Sequence, residues 1–312
     1  MKFALVFPGQ GSQAVGMMAA YGDSPEIRQT FQEASDALGE DLWAMVAEGP
    51  AEVLSQTVNT QPLMLTAGVA VYRAWLAAGG PAPDVVAGHS LGEYSALVAA
   101  GVLKFSDAVP LVRFRAAAMQ TAVPAGQGAM AALLGLDAEA VIAVCAEAAE
   151  GDVVEAANLN APGQIVIAGS TAAVERAMAL AKTRGAKRAV LLPVSAPFHC
   201  ALMKPAAAQL AERLATVELN TPAIPVLNNV DVVVCSSAAD IRDALVRQAY
   251  SPVRWIESLE AIAARGASAV IECGPGKVLA GLTKRIVRDV QGVALVDEAS
   301  VQEAIALVKE GA

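Results

Sequence analysis

One stretch limits the possible folds more than any other. Val85-Val86-Ala87 is a short apolar run, and it leads directly into Gly88-His89-Ser90-Leu91-Gly92 and then into the helical pattern Leu91–Ala100. A strand, a tight G-x-S-x-G turn and a helix in that order make a nucleophile elbow, which projects a serine from the carboxyl end of a sheet strand. The alternative is that Ser90 only caps the following helix. An elbow requires neighbouring parallel strands, and the rest of the chain supplies them.

Lys2–Phe7, Ile224–Leu227, Ala269–Glu272 and Val293–Val296 read as further strands. They alternate with helical patterns at Gln61–Ala78, Asp107–Ala122 (capped by Ser106), Ala238–Gln248, Val253–Arg265 and Val278–Arg288. Strands alternating with helices predict a mostly parallel sheet covered on both faces. The middle of the chain differs. Strand Ala129–Leu134, helix Ala138–Glu150, strands Val153–Ala157 and Gln164–Ala168, helix Thr171–Arg184 and strand Arg188–Leu192 follow the order βαββαβ. That is a ferredoxin-like unit. The expected fold is therefore α/β: a large hydrolase-like domain (1–124 and 196–312) with a small ferredoxin-like domain (125–195) inserted. A cleft between two such units is a usual ligand site.

Composition agrees with a large buried core. Of 312 residues, 55% are hydrophobic and 17% charged, which excludes a disordered chain. No apolar run is long enough to span a bilayer, so the mean hydropathy of +0.47 reflects core. The start MKFALVFPGQG reads as a first strand, because a proline–glycine turn interrupts it and no small-residue cleavage site follows. The four cysteines contain no C-x-x-C pair, which predicts reduced thiols in a cytoplasm and neither disulfides nor a zinc site. A net charge of −9 argues against nucleic acid as a partner. The local basic groups Lys182/Arg184/Lys187/Arg188 and Lys277/Lys284/Arg285/Arg288 are candidate docking points for an acidic one.

A nucleophilic serine needs a base, and there are two histidines. His89 adjoins Ser90, and successive side chains at a strand end point to opposite sides, so it is expected to pack beside the elbow. His199, in the loop LPVSAPFHC after the inserted unit, is the candidate base. No acid between Ser90 and His199 stands out as a third triad member. Asp137, Glu139, Asp152 and Glu175 read as helix starts or exposed faces, so a backbone carbonyl is expected to orient the imidazole. On the helix Asp107–Ala122, Arg115 falls in the apolar stripe with Leu111, Val112 and Met119, whereas Arg113 lies on the polar side. A buried guanidinium calls for an anion, either a protein carboxylate or a substrate carboxylate. The loop Pro8–Gln13 matches no phosphate-binding motif, but its N–H groups could form an oxyanion hole with that of Leu91.

Several ordered segments resemble one family from end to end. They are FPGQGSQ (Phe7–Gln13), NTQP (Asn59–Pro62), GHSLGEYSAL (Gly88–Leu97), ANLNAPGQIVIAG (Ala157–Gly169), PVSAPFHCALMKPA (Pro193–Ala206), RQAYSPVRW (Arg247–Trp255) and ECGPGKVLAGL (Glu272–Leu282). Together they resemble the malonyl-CoA:acyl carrier protein transacylases of type II fatty acid synthesis. The resemblance implies Ser90 as nucleophile, His199 as base and then acid, and Arg115 as a clamp for the malonyl carboxylate. It further implies oxyanion N–H groups from Gln10 and Leu91, and a carbonyl at Gln248 that orients His199. Phe198 and Leu91 resemble the malonyl-selective versions of their segments, and Asn158 and Asn160 match a stretch lining the family's cleft. The partners implied are malonyl-CoA and acyl carrier protein, with no resident cofactor, no metal, no nucleic acid and no membrane. A cytoplasmic monomer is the expectation. A serine esterase or thioesterase on the same elbow, a related acyltransferase loading a secondary-metabolite synthase, and an inactive carrier-binding protein are the alternatives.

Overall fold

The computed structural model describes residues 1–194 and 196–310, so Ser195 of the PVSAPFHC segment lies outside the described residues. Its strands are β1 (Phe3–Phe7), β2 (Val85–Gly88), β3 (Gly128–Leu134), β4 (Val154–Ala161), β5 (Gln164–Ser170), β6 (Arg188–Leu191), β7 (Val226–Leu227), β8 (Ala269–Cys273) and β9 (Gln291–Leu295). Five form one parallel sheet in the order β7-β2-β1-β8-β9. All residues of β1, β2 and β8 are buried, as expected for a parallel sheet covered on both faces.

The other four form an antiparallel sheet, β4-β5-β3-β6, with the helices Ala138–Ala149 and Thr171–Thr183 packed on it. That strand order is the ferredoxin-like one, and the α/β architecture expected from the sequence is the one the chain adopts. The Asp137 carboxylate accepts the Ala140 N–H at 2.8 Å and so starts the first of these helices.

Several element limits differ from the sequence reading, each for a local reason. β4 runs on to Ala161 because it also meets the large unit: Val253 N–H donates to Ala157 O at 2.9 Å and Leu159 N–H to Val253 O at 3.0 Å. The helix carrying Arg115 spans Phe105–Thr121. It begins at Lys104 without any side-chain cap, so Ser106 lies inside it and does not cap it. The helix expected from Gln61 starts at Thr57, where buried Asn59 and Thr60 bond Val53 O and Leu54 O of the preceding turn. The helices Pro25–Leu38, Lys204–Ala215 and Glu298–Glu310 have no counterpart in the sequence reading. No helix among the described residues is long and apolar enough to cross a membrane.

The elbow is set by close backbone contact. A Cβ on Gly92 would lie 2.0 Å from Phe7 O at the end of β1, and one on Gly88 would lie 1.8 Å from the Gly92 carbonyl carbon. Only hydrogen fits at either position, so β2, the turn and the helix Gly92–Ala99 can press against β1. Gly92→Ala is expected to cost at least about 2 kcal/mol of stability, measured by denaturant unfolding of both proteins.

Candidate active site

Ser90 sits in the left-handed region at φ +52°, and His199 does so at φ +62°. Both are non-glycine residues in a region that L side chains rarely occupy, and such conformations cluster at functional sites. The Ser90 backbone is held by Asn229, whose Oδ1 accepts the Ser90 N–H at 2.8 Å and whose Nδ2 donates to Gly88 O at 2.7 Å. The helix after it has Leu91 at its cap position with no side-chain cap, so Ser90 is not its capping residue.

Ser90 Oγ lies 2.6 Å from His199 Nε2, and His199 Nδ1 lies 2.8 Å from the Gln248 carbonyl. A carbonyl only accepts, so Nδ1 carries the proton and Nε2 offers its lone pair to the Ser90 hydroxyl. Burial, with help from the nearby Arg115 charge, lowers the His199 pKa to about 3, which keeps the imidazole neutral. Gln248 ends the helix Ala238–Gln248, whose start is capped by Ser237 accepting the Asp240 N–H at 3.0 Å. His89 faces elsewhere: its Nε2 pairs with Asn160 Oδ1 at 2.8 Å, and its ring meets Trp255 edge-on.

Arg115 is 1% exposed. Its Nη1 donates to Gln61 Oε1 at 2.8 Å and its Nη2 to Gln248 Oε1 at 2.9 Å, with a longer contact of 3.4 Å from Nη2 to Ser90 Oγ. Among the described residues no carboxylate lies within ion-pair distance of this guanidinium, in contrast to Arg113, which pairs with Glu40 at 2.6 Å. The Tyr94 ring lies 5.4 Å from the guanidinium carbon, and a buried cation held by neutral groups of this kind retains the ability to take an anion.

These side chains border one cavity of about 410 Å³. It is lined by Ser90, His199 and Arg115 together with Gln10, Leu91, Asn158 and Phe198. Among the described residues the N–H groups of Gln10 and Leu91 take no acceptor within the protein. Asn160 is engaged with His89, and Gln248 stands behind His199 and Arg115. Of the basic groups, Arg184 pairs with Glu147, and Arg285 bonds Gln164 and Pro162 O. Among the described residues no three His, Cys, Asp or Glu side chains are grouped to hold a metal ion.

Three residues of this arrangement have no role assigned to them by the sequence reading, although two lie inside the quoted segments. Gln61 and Asn229 are ordinary amides in sequence, although NTQP and the repeated Asn228-Asn229 after a short apolar run were available signals. Glu93 sits inside the elbow motif. It is 3% exposed, and its Oε2 accepts from Asn229 N–H at 3.0 Å and Gln248 Nε2 at 2.9 Å. Burial pushes its carboxyl up to about 7 against the pull of those donors.

A serine at an elbow, an imidazole on its hydroxyl and a fixed cation beside both describe an acyl-transfer centre. The chain belongs to the acyl transferase domain family, whose model matches residues 4–309. It is 59% identical to the malonyl CoA-acyl carrier protein transacylase of Haemophilus influenzae, over 96% of each chain. Its fold matches the crystal structure of the acyl-carrier-protein S-malonyltransferase from Burkholderia pseudomallei with a TM-score of 0.97. That pair is 61% identical, over 98% of this chain and 100% of the other. A type II PKS acyl-carrier protein in complex with its malonyl-transacylase provides another match. Its TM-score is 0.97 at 54% identity, over 98% of this chain and 100% of that one.

The depressed imidazole has a thermodynamic consequence. Below pH 6.5 the unfolded chain binds a proton at His199 that the folded protein refuses until about pH 3. The contribution is whole above 6.5 and is lost as pH falls through that window, with a slope of about 1.4 kcal/mol per pH unit. His89, also held low by burial, adds in the same sense. Stability against pH measured for the parent and for His199→Asn is expected to show the shallower acid slope in the variant.

Proposed function

We propose that the chain transfers a malonyl group from malonyl-CoA to the phosphopantetheine thiol of acyl carrier protein, through a malonyl ester on Ser90. The supporting observation is the guanidinium of Arg115. It is buried, unpaired by any described carboxylate and 3.4 Å from Ser90 Oγ. An acyl group that ends in a carboxylate is the one such a cation can hold at the nucleophile, by a bidentate, charge-assisted contact.

In the first half-reaction His199 Nε2 takes the Ser90 hydroxyl proton as Oγ attacks the thioester carbonyl. The oxyanion is stabilised by the N–H groups of Gln10 and Leu91. Collapse expels CoA, whose sulfur receives the proton from His199. In the second half-reaction His199 takes the proton of the carrier's thiol as the sulfur attacks malonyl-Ser90, then returns it to Oγ as the ester breaks. The Gln248 carbonyl holds the Nδ1 proton throughout, so the imidazolium is stabilised without a triad acid. Phe198 and Asn158 border the acyl chamber, and Asn160 supports His89 beneath it.

The match to a malonyl-transacylase bound to its carrier protein supports a carrier as the acceptor, and close relatives at 59% identity carry the transacylase name. That bound carrier belongs to a type II PKS, which gives a second reading of the same chemistry on a different carrier. A cytoplasmic setting is supported by four free thiols, three of them buried.

Incubation with malonyl-CoA should add one malonyl group to the parent by intact mass and none to Ser90→Ala. Addition of a fatty-acid or a polyketide carrier protein should then discharge it, and the faster carrier selects between the two readings. Release as free malonate in preference to transfer would point to a hydrolase. Arg115→Ala should lower the malonyl-over-acetyl preference in kcat/KM by at least about tenfold, the scale of a charge-assisted pair.

A further inference from the structure

We propose that Glu93 is a positioning residue for the carboxylate clamp, acting through the side-chain amide of Gln248. The inference rests on the role proposed above for Arg115. Gln248 is wholly buried, and each end of its amide has a defined neighbour. Nε2 donates to Glu93 Oε2 at 2.9 Å and to Ser90 O at 3.0 Å. With both protons committed, Oε1 is left to face Arg115 Nη2 at 2.9 Å. Turning the amide over would set its NH₂ against a guanidinium and its carbonyl against a carboxylate and a carbonyl. Each of these three contacts would then be repulsive or unsatisfied.

The spacer matters because of what it prevents. A carboxylate in direct contact with Arg115 would form a buried ion pair and compete with the substrate for the same fork. Placed one amide away, Glu93 fixes the guanidinium's orientation through the polarised chain carboxylate–amide–guanidinium and leaves its cleft-facing edge available. The hydrogen bonds depend on an acceptor oxygen at Oε2, which a carboxylate, a carboxylic acid or an amide can each provide. Glu93 also accepts the Asn229 N–H at 3.0 Å, and Asn229 in turn holds the Ser90 N–H. That contact supports the elbow for any acyl group. The Gln248 contact bears on carboxylate-bearing acyl groups, because His199 uses the main-chain oxygen of Gln248 and not its side chain.

The decisive quantity is therefore the ratio of kcat/KM for malonyl-CoA to that for acetyl-CoA in transfer to carrier protein. Glu93→Met removes the acceptor at similar volume and should lower this ratio at least about tenfold, with the malonyl loss concentrated in KM. Glu93→Gln restores an oxygen at the Oε2 position and should return the ratio to within about threefold of the parent. Gln248→Leu breaks the relay at its middle while keeping the main-chain carbonyl, and should repeat the fall in ratio even if Glu93→Met does not fold. In an Arg115→Ala background, Glu93→Met should lower the ratio no further. A folded Glu93→Met enzyme that slows both substrates alike, or a Gln248→Leu enzyme with the parent's ratio, overturns the proposal and reduces Glu93 to support of the elbow. An Arg115→Ala enzyme that keeps the parent's ratio overturns the clamp itself, a separate failure visible before Glu93 is altered.

Discussion

Gln248 joins the parts of this site that must not move relative to one another. Its main-chain oxygen holds the imidazole of His199, its side-chain oxygen holds Arg115, and its side-chain nitrogen holds the Ser90 carbonyl and Glu93. One buried residue at a helix end thus ties together the elbow, the imidazole and the cation, which come from three distant parts of the chain. Each bond is made in a region with almost no water, where an unmet polar group costs about 1–3 kcal/mol and a met one is strengthened by the low dielectric.

The same low dielectric explains why His199 and Arg115 can stand so close together. Two cations there would repel strongly. Burial and the neighbouring guanidinium together hold the imidazole neutral, so the pair is a cation beside a base. In the proposed mechanism the imidazole becomes charged beside Arg115 when it takes the serine proton, and a negative acyl carboxylate on the guanidinium would reduce that penalty. A carboxylate-bearing substrate would thus serve the proton transfer as well as binding.

Much of this was legible in the primary structure. The elbow could be read because a nucleophile at a strand-to-helix turn demands glycine on both sides, and Gly88 and Gly92 are packed against backbone where a methyl would not fit. His199 could be named because histidine is scarce here, and Arg115 because its helical face is apolar. The βαββαβ order stood out because each element keeps its own periodicity. The helices Pro25–Leu38 and Lys204–Ala215 were missed, although each buries a stripe of side chains against the large core. The extension of β4 depended on Val253, nearly a hundred residues away, and local propensity carries no record of such a partner.

By itself the sequence determined the α/β architecture and the ferredoxin-like unit, and it singled out Ser90, His199 and Arg115, which the fold brings together. These depend on local periodicity, glycine placement and residue type, which are written position by position. The tertiary structure alone decided that Arg115 meets amide oxygens and, among the described residues, no carboxylate, that Asn229 grips the elbow, and that Glu93 reaches Arg115 through Gln248. Hydrogen bonds between residues 54, 133, 139 and 155 positions apart depend on how two sheets and their helices pack, and Asn, Gln and Glu look the same in sequence whether exposed or buried.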